Sequence, residues 1–260
     1  MLSSEKPIVI NLPEDYKSAR ILLSADMHYG NACFDDRAWN EFERDLATEN
    51  TYAIFAGDQM EYATRASKSD VYTALRPAEQ KRWWIEHLRP YKQKILCIID
   101  GNHEFNRASK DADAFPLYDI ALLLGIDDRY RSESAFLNLG IGKGRGQKRE
   151  KPRQIRYIFR VQHKAQNQVN FGTADSFDGI DIFVAGHTHK PMSKPLAKLV
   201  YDPYNNRVTQ KNVRNVVCGH YLRYPGSYGE RGGMRITSNC QYAVLLDGTQ
   251  KRVKIEEYEY

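Results

Sequence analysis

Five clusters of ligand-type side chains punctuate the chain: Asp26-Met27-His28, Gly57-Asp58, Gly101-Asn102-His103-Glu104, His163, and Gly186-His187-Thr188-His189. Five of the seven histidines fall inside them, leaving His87 and His220 over. Imidazole, carboxylate and amide oxygen without thiolate form a donor set for borderline or hard divalent cations such as Mn2+, Fe2+ or Zn2+. The glycines beside the donors let the backbone turn sharply and approach an ion or a phosphate closely. One Gly-Asp pair or one histidine says little, but five such clusters in one chain point to metal-assisted chemistry. His87, at helical spacing in a Trp-Trp-Ile-Glu-His-Leu run, reads as a packing residue, and His220, in a tyrosine-rich loop, reads the same way.

Each cluster needs an element to carry it, and each follows an apolar run. Residues 20–25 (RILLSA) end at Asp26, 52–56 (YAIFA) at Gly57-Asp58, and 94–99 (KILCII) at the Asp-Gly-Asn-His turn. Strands over 155–162 and 182–185 run up to His163 and to Gly186. Helical spacing marks 36–48, where Trp39, Phe42 and Leu46 fall three and four apart, then 77–88, opened by Pro77, and 113–124. Strands alternating with helices predict parallel strands covered by helices. Ligands in such sheets sit beyond the carboxyl ends of the strands, so five strand ends are expected on one rim. Further strand segments lie within 196–201, 207–217, 241–246 and 251–258, with an Asp247-Gly248 turn. The expectation is a single α/β domain over residues 1–260, made of two packed mixed sheets with helices outside.

Written as a pattern, the clusters read D-x-H, G-D, G-N-H-E, H and G-H-x-H, in that order over residues 24–191. This resembles the calcineurin-like metallophosphoesterase superfamily, small prokaryotic or phage-type members in particular. The resemblance implies the sandwich fold of that superfamily and a binuclear metal-dependent phosphoesterase. Asp26, His28 and His189 would hold one cation and Asn102, His163 and His187 the other, with Asp58 bridging the two. His103 would protonate the leaving oxygen or stabilise the transition state rather than bind metal. The cofactors implied are two divalent ions, Mn2+ first, with Fe2+, Zn2+ or Ni2+ as others, and a bridging hydroxide as nucleophile. Glu104 reads either as a carboxylate orienting a ligand or as a surface acid.

Departures from the pattern narrow the substrate. The protein serine/threonine phosphatases of the superfamily resemble G-D-x-x-D-R-G and R-G-N-H-E, whereas this chain has Gly57-Asp58-Gln59-Met60-Glu61-Tyr62-Ala63 and Asp100 before Gly101. Both expected arginines are missing, which disfavours a protein phosphatase. Net charge is +5, and residues 142–153 alone hold Lys143, Arg145, Lys148, Arg149, Lys151 and Arg153 against the single acid Glu150. That run suits nucleic acid or a nucleotide, and Lys143, Arg145, Lys148 and Arg149 are the candidate contacts. Tyr221, Tyr224 and Tyr228 with Arg223 and Arg231 form a second aromatic and basic stretch able to stack on a base. The function expected is phosphodiester hydrolysis of nucleic acid or nucleotides. The alternatives are a phosphomonoesterase on a small metabolite and a silent binding protein on the same fold. No apolar run approaches the ~18 residues of a membrane span and no signal-like segment opens the chain. With four scattered cysteines, this makes a cytoplasmic protein with no membrane partner the expectation.

Overall fold

Apolar side chains set the layers. The strands are β1 (Ile8–Asn11), β2 (Ser18–Ser24), β3 (Thr51–Ala56), β4 (Ile95–Ile99), β5 (Tyr130–Arg131) and β6 (Ser134–Ile141), then β7 (Ile155–Gln162), β8 (Ile182–Ala185), β9 (Met192–Asp202), β10 (Arg207–Val217), β11 (Gln241–Asp247) and β12 (Val253–Tyr258). They build two six-stranded sheets, ordered β1-β6-β7-β8-β10-β9 and β12-β11-β2-β3-β4-β5. Both are mixed: β2, β3, β4 and β5 run parallel in one, β7, β8 and β10 in the other, with antiparallel neighbours outside. The computed structural model of the chain describes residues 6–65, 67, 74–144, 153–164 and 176–259.

The sheets pack face to face. In β7, Ile155, Tyr157, Phe159 and Val161 point into the shared core with Ile21, Leu23, Ile54, Leu137, Leu139 and Val184. β4 is buried along its whole length, as a strand covered on both faces must be. The second face of the β4 sheet meets helices α1 (Asp36–Ala47), α2 (Pro77–Leu88) and α3 (Pro116–Leu124), which bury Trp39, Phe42, Trp84, Leu117 and Ile120 with Leu22, Phe55 and Ile98 of its strands. Asp35 caps α1, its side chain accepting from the Arg37 N–H at 3.1 Å. Gly125 ends α3 at φ 69°, a conformation that suits glycine.

The structure corrects the expected boundaries in three places. Residues 113–115 are not helical: Asp113 turns at φ 47° and α3 starts at Pro116. Ahead of it lies a π-helical turn, His103–Ser109, for which the sequence carries no periodic signal. β1 and β6 pair in parallel, Ile8 with Leu137 through Asn11 with Gly140, and neither was expected as a strand. Among the described residues no helix is long and apolar enough to cross a membrane, and the four cysteines are free.

Candidate metal centre

The carboxyl ends of β2, β3 and β4 in one sheet and of β7 and β8 in the other meet on one rim. The turns there are locked by backbone pairing: the Asp26 N–H donates to Gly57 O at 3.1 Å, His28 N–H to Asp58 O at 3.0 Å, and Gly186 N–H to His163 O at 3.0 Å. Close approach explains the glycines. A Cβ on Gly57 would stand 2.6 Å from His163 Nδ1, and one on Gly101 would collide with the Asp58 carboxylate and backbone nitrogen. Asp26, His28, Asp58, His187 and His189 all take positive φ, between 51° and 76°, five of the nine described non-glycine residues that do. Each such residue costs about 1–3 kcal/mol, so the strain is concentrated where the donors are held.

The donors fall into overlapping groups whose ligand atoms lie within 4.8 Å of one another: Asp26, His28 and His189; Asp58, His163 and His187; and His28, Asp58 and His103. His189 Nε2 is 3.4 Å and His28 Nε2 3.9 Å from Asp26 Oδ1. His163 Nε2 is 3.2 Å from Asp58 Oδ2 and 3.2 Å from Asn102 Oδ1. All eight candidate residues of the five motifs are thus brought together. Lys143 is not: it pairs with Glu14 at 2.6 Å, and its N–H donates to Gly248 O. β6 starts opposite Gln162, beside the rim, and ends opposite Ile155. Lys143 therefore sits one eight-residue strand away, roughly 25 Å from the centre. Arg145, Lys148 and Arg149 lie outside the described residues.

The electrostatics ask for a cation. Asp26 is fully buried and Asp58 nearly so. Among the described residues Asp26 Oδ1 has no well-aligned hydrogen bond and only His189 Nε2 at 3.4 Å and His28 and His163 Nε2 at 3.9 Å nearby, whereas Oδ2 accepts from the His187 N–H at 2.6 Å. Burial opposes ionisation of both acids, but the imidazoles override it: His189 and His163 hold Asp26 below the usual carboxylate range, and His163 and His103 hold Asp58 well below it. His163 in turn is pushed up to about 10, burial being outweighed by Asp58 and Asp26. The same negative charge that raises the basicity of His163 is what a cation between the two buried carboxylates would balance. A divalent ion would supply positive charge there and be met by Asp26 Oδ1 and the imidazole nitrogens around it, so the residues present fit such an ion.

Second-layer contacts hold the donors. His163 Nδ1 lies 2.8 Å from Ala56 O, which fixes the hydrogen there and turns the Nε2 lone pair to the rim. Glu104 accepts from the N–H groups of Asp58 (3.0 Å), Met60 (2.9 Å) and Gly101 (2.9 Å), so it orients the turns rather than a histidine. Asp58 Oδ1 accepts from the His103 N–H at 2.8 Å. His103 Nδ1 is 2.9 Å from Glu61 O, and burial pushes this imidazole down to about 4.

Three residues escaped the sequence reading. Glu61, 2 % exposed, receives Arg107 Nη1 at 2.8 Å and Asn31 Nδ2 at 3.1 Å and faces His28 Nδ1 at 3.4 Å. Arg107 Nη1 also donates to Glu61 O. His220, read as packing, lies with its ring 5.0 Å from that of His189, accepts from the Leu222 N–H at Nδ1 and faces Thr237 Oγ1 with Nε2. No spacing pattern marks Glu61 or Arg107. The tyrosine-rich stretch is partly core, since Tyr221 is fully buried against Phe42; Tyr224 donates to Met234 O, and the Tyr228 side chain lies outside what is described.

A family model described as calcineurin-like phosphoesterase matches residues 19–224. The chain belongs to that family. Calcineurin-like phosphoesterases are metal-dependent hydrolases of phosphate esters, and the histidine and aspartate groups are ones that could hold divalent ions here. The structure is also similar to the crystal structure of a metallophosphoesterase from Sphaerobacter thermophilus, at 14% identity and TM-score 0.42, over 93% of this chain and 89% of that one. None of the curated proteins compared with it matches.

Proposed function

We propose that this calcineurin-like phosphoesterase hydrolyses phosphodiester bonds of nucleic acid or nucleotides, residues 1–260 acting as one domain. In this reading Asp26, His28 and His189 hold one divalent cation, Asn102, His163 and His187 a second, and Asp58 serves both, with Mn2+ the first candidate. The observation that carries it is the pair of buried carboxylates, Asp26 and Asp58, ringed by imidazole nitrogens, His189 Nε2 3.4 Å from Asp26 Oδ1 and His163 Nε2 3.2 Å from Asp58 Oδ2. Bound there, the cations would supply Lewis-acid activation of water and neutralise charge on the phosphate.

The chain's own residues do the remaining work. A carbonyl can only accept, so the contact with Glu61 O keeps the hydrogen on His103 Nδ1. Nε2, 3.7 Å from Asp58 Oδ2, is then the nitrogen that would carry a proton to the leaving oxygen, burial opposing the charged ring and the Asp58 carboxylate favouring it. Glu61 and Arg107 fix the wall behind His28 and His103. Intact Asp58 and His103 weigh against a silent binding protein, which has no need of either. The diester and nucleic-acid preference rests on the missing phosphatase arginines and on the basic run 142–153. The test is a panel of single-stranded DNA, duplex DNA, RNA, cyclic nucleotides and phosphomonoesters with added Mn2+. Turnover of a nucleotide diester above the monoesters is expected; monoester turnover alone would replace this reading with the phosphomonoesterase.

A further inference from the structure

Beside the centre the structure holds a cavity of about 360 Å3 that shares Asn102 and His163 with it. Its far wall is the outer face of β6 and β7, where Ser134 lies opposite Gln162 and Phe136 opposite Arg160. The near wall is the π-helical turn, with Phe105 and Asn106. Arg160 is built in rather than loose: its guanidinium lies 4.6 Å from the Phe136 ring centroid and 4.7 Å from that of Phe177, and Nη2 donates to Ser134 Oγ at 2.8 Å. Its Nε is buried with no hydrogen-bond partner among the described residues. A guanidinium stacked and fixed in this way is a preorganised planar donor.

Resting on the phosphodiesterase reading, we propose that this cavity receives the nucleoside joined to the scissile phosphate, with Phe105 against the base and Arg160, Asn106 and Gln162 at its polar edge. Size favours one unit: about 360 Å3 lies at the small end of ligand cavities and does not admit a duplex. Charge favours a neutral ring over a second phosphate, because two acids of the lining, Glu133 and Asp100, stand against its two cations, Arg160 and Lys164. Chemistry favours a heteroaromatic base, since amide and guanidinium groups pair with base edges and an aromatic face accepts any base. A plain acyl or alkyl group would leave these polar groups unmatched.

The test compares three diesters that expel the same p-nitrophenolate, water adding to phosphorus in each: the p-nitrophenyl esters of thymidine 5′-phosphate and thymidine 3′-phosphate, and methyl p-nitrophenyl phosphate. With Mn2+ present, the ratio of kcat/KM for the better nucleoside ester to that for the methyl ester is expected to be roughly five- to a hundredfold, the worth of one stacked base. Each variant is its own reference, so Phe105→Ala and Arg160→Gln should pull that ratio toward one. Asn106→Ala, at an exposed position where folding is not at issue, should lower it severalfold. A ratio near one in the unmodified protein, or a ratio unmoved by Phe105→Ala and Asn106→Ala, overturns the inference while leaving phosphodiester hydrolysis standing. Failure of the unmodified protein to cleave either ester overturns the phosphodiesterase reading and this inference with it.

Discussion

Asp58 belongs to two of the three donor groups, its carboxylate facing His163 at 3.2 Å and His103 at 3.7 Å, which is why the bridging role is proposed for it. Asp58→Asn removes the charge but little volume. It is expected to weaken the binding of both cations, read by elemental analysis and Mn2+ titration; two tightly held ions with normal turnover would remove Asp58 from the bridging role. His103 makes the opposite prediction. His103→Gln should keep the metal content and slow turnover roughly 10²–10⁴-fold, the usual worth of a proton-transferring group. The loss should shrink for an ester with a good leaving group, which needs less protonation, and equal losses across a leaving-group series would instead assign His103 to positioning. At this scale the sequence was most informative: donors flanked by glycines after apolar runs identify themselves by type and order. Glu61 and Arg107 do not, because a single acid and a single base between motifs have no spacing to betray them.

At the scale of elements, strands and helices with clean apolar periodicity were legible almost to the residue, as in 77–88, 155–162, 182–185 and 207–217. β6 alternates too, with Ala135, Leu137, Leu139 and Ile141 inward, but Asn138 and Gly140 on its outer face and the glycine-rich run after it disguise the pattern. The π-helical turn has no sequence period of its own; in its first turn Glu104 is directed back to bond three backbone N–H groups of the neighbouring turns. Glu104→Ala would leave those three buried donors without an acceptor. At about 1–3 kcal/mol for each buried group left unsatisfied, and without full additivity, a destabilisation of at least ~2 kcal/mol is expected in denaturant unfolding. Cation affinity should fall about 10–100-fold as the Asp58 turn loosens. Unchanged stability with unchanged affinity would show that the turns hold themselves.

On the scale of the whole molecule the question is how a charge equal to the entire net charge, held in residues 142–153, serves a centre that lies roughly 25 Å from its neck. For Lys143 that distance exceeds the ~8–10 Å Debye length of ordinary buffers, so its direct help to a small bound phosphate is screened away. A polynucleotide can span the gap: at about 3.4 Å per residue, some seven or eight residues reach from the rim to the neck. Neutralising Lys143, Arg145, Lys148 and Arg149 together should therefore raise KM for polynucleotides longer than this and leave a dinucleotide or a small chromogenic diester almost untouched. The variant should fold normally, because the Lys143–Glu14 pair is half exposed at both ends and exposed pairs contribute at most about 1 kcal/mol. The salt dependence of polynucleotide affinity should flatten by about 0.7–0.9 in log–log slope for each phosphate that is no longer neutralised, with four phosphates the upper limit. Binding measured across a salt series on oligonucleotides of increasing length decides the matter. A slope that drops only beyond seven or eight residues ties the basic run to the far end of a bound polymer. An unchanged slope and KM at every length would make the run a solvated turn and move the small-metabolite phosphoesterase ahead.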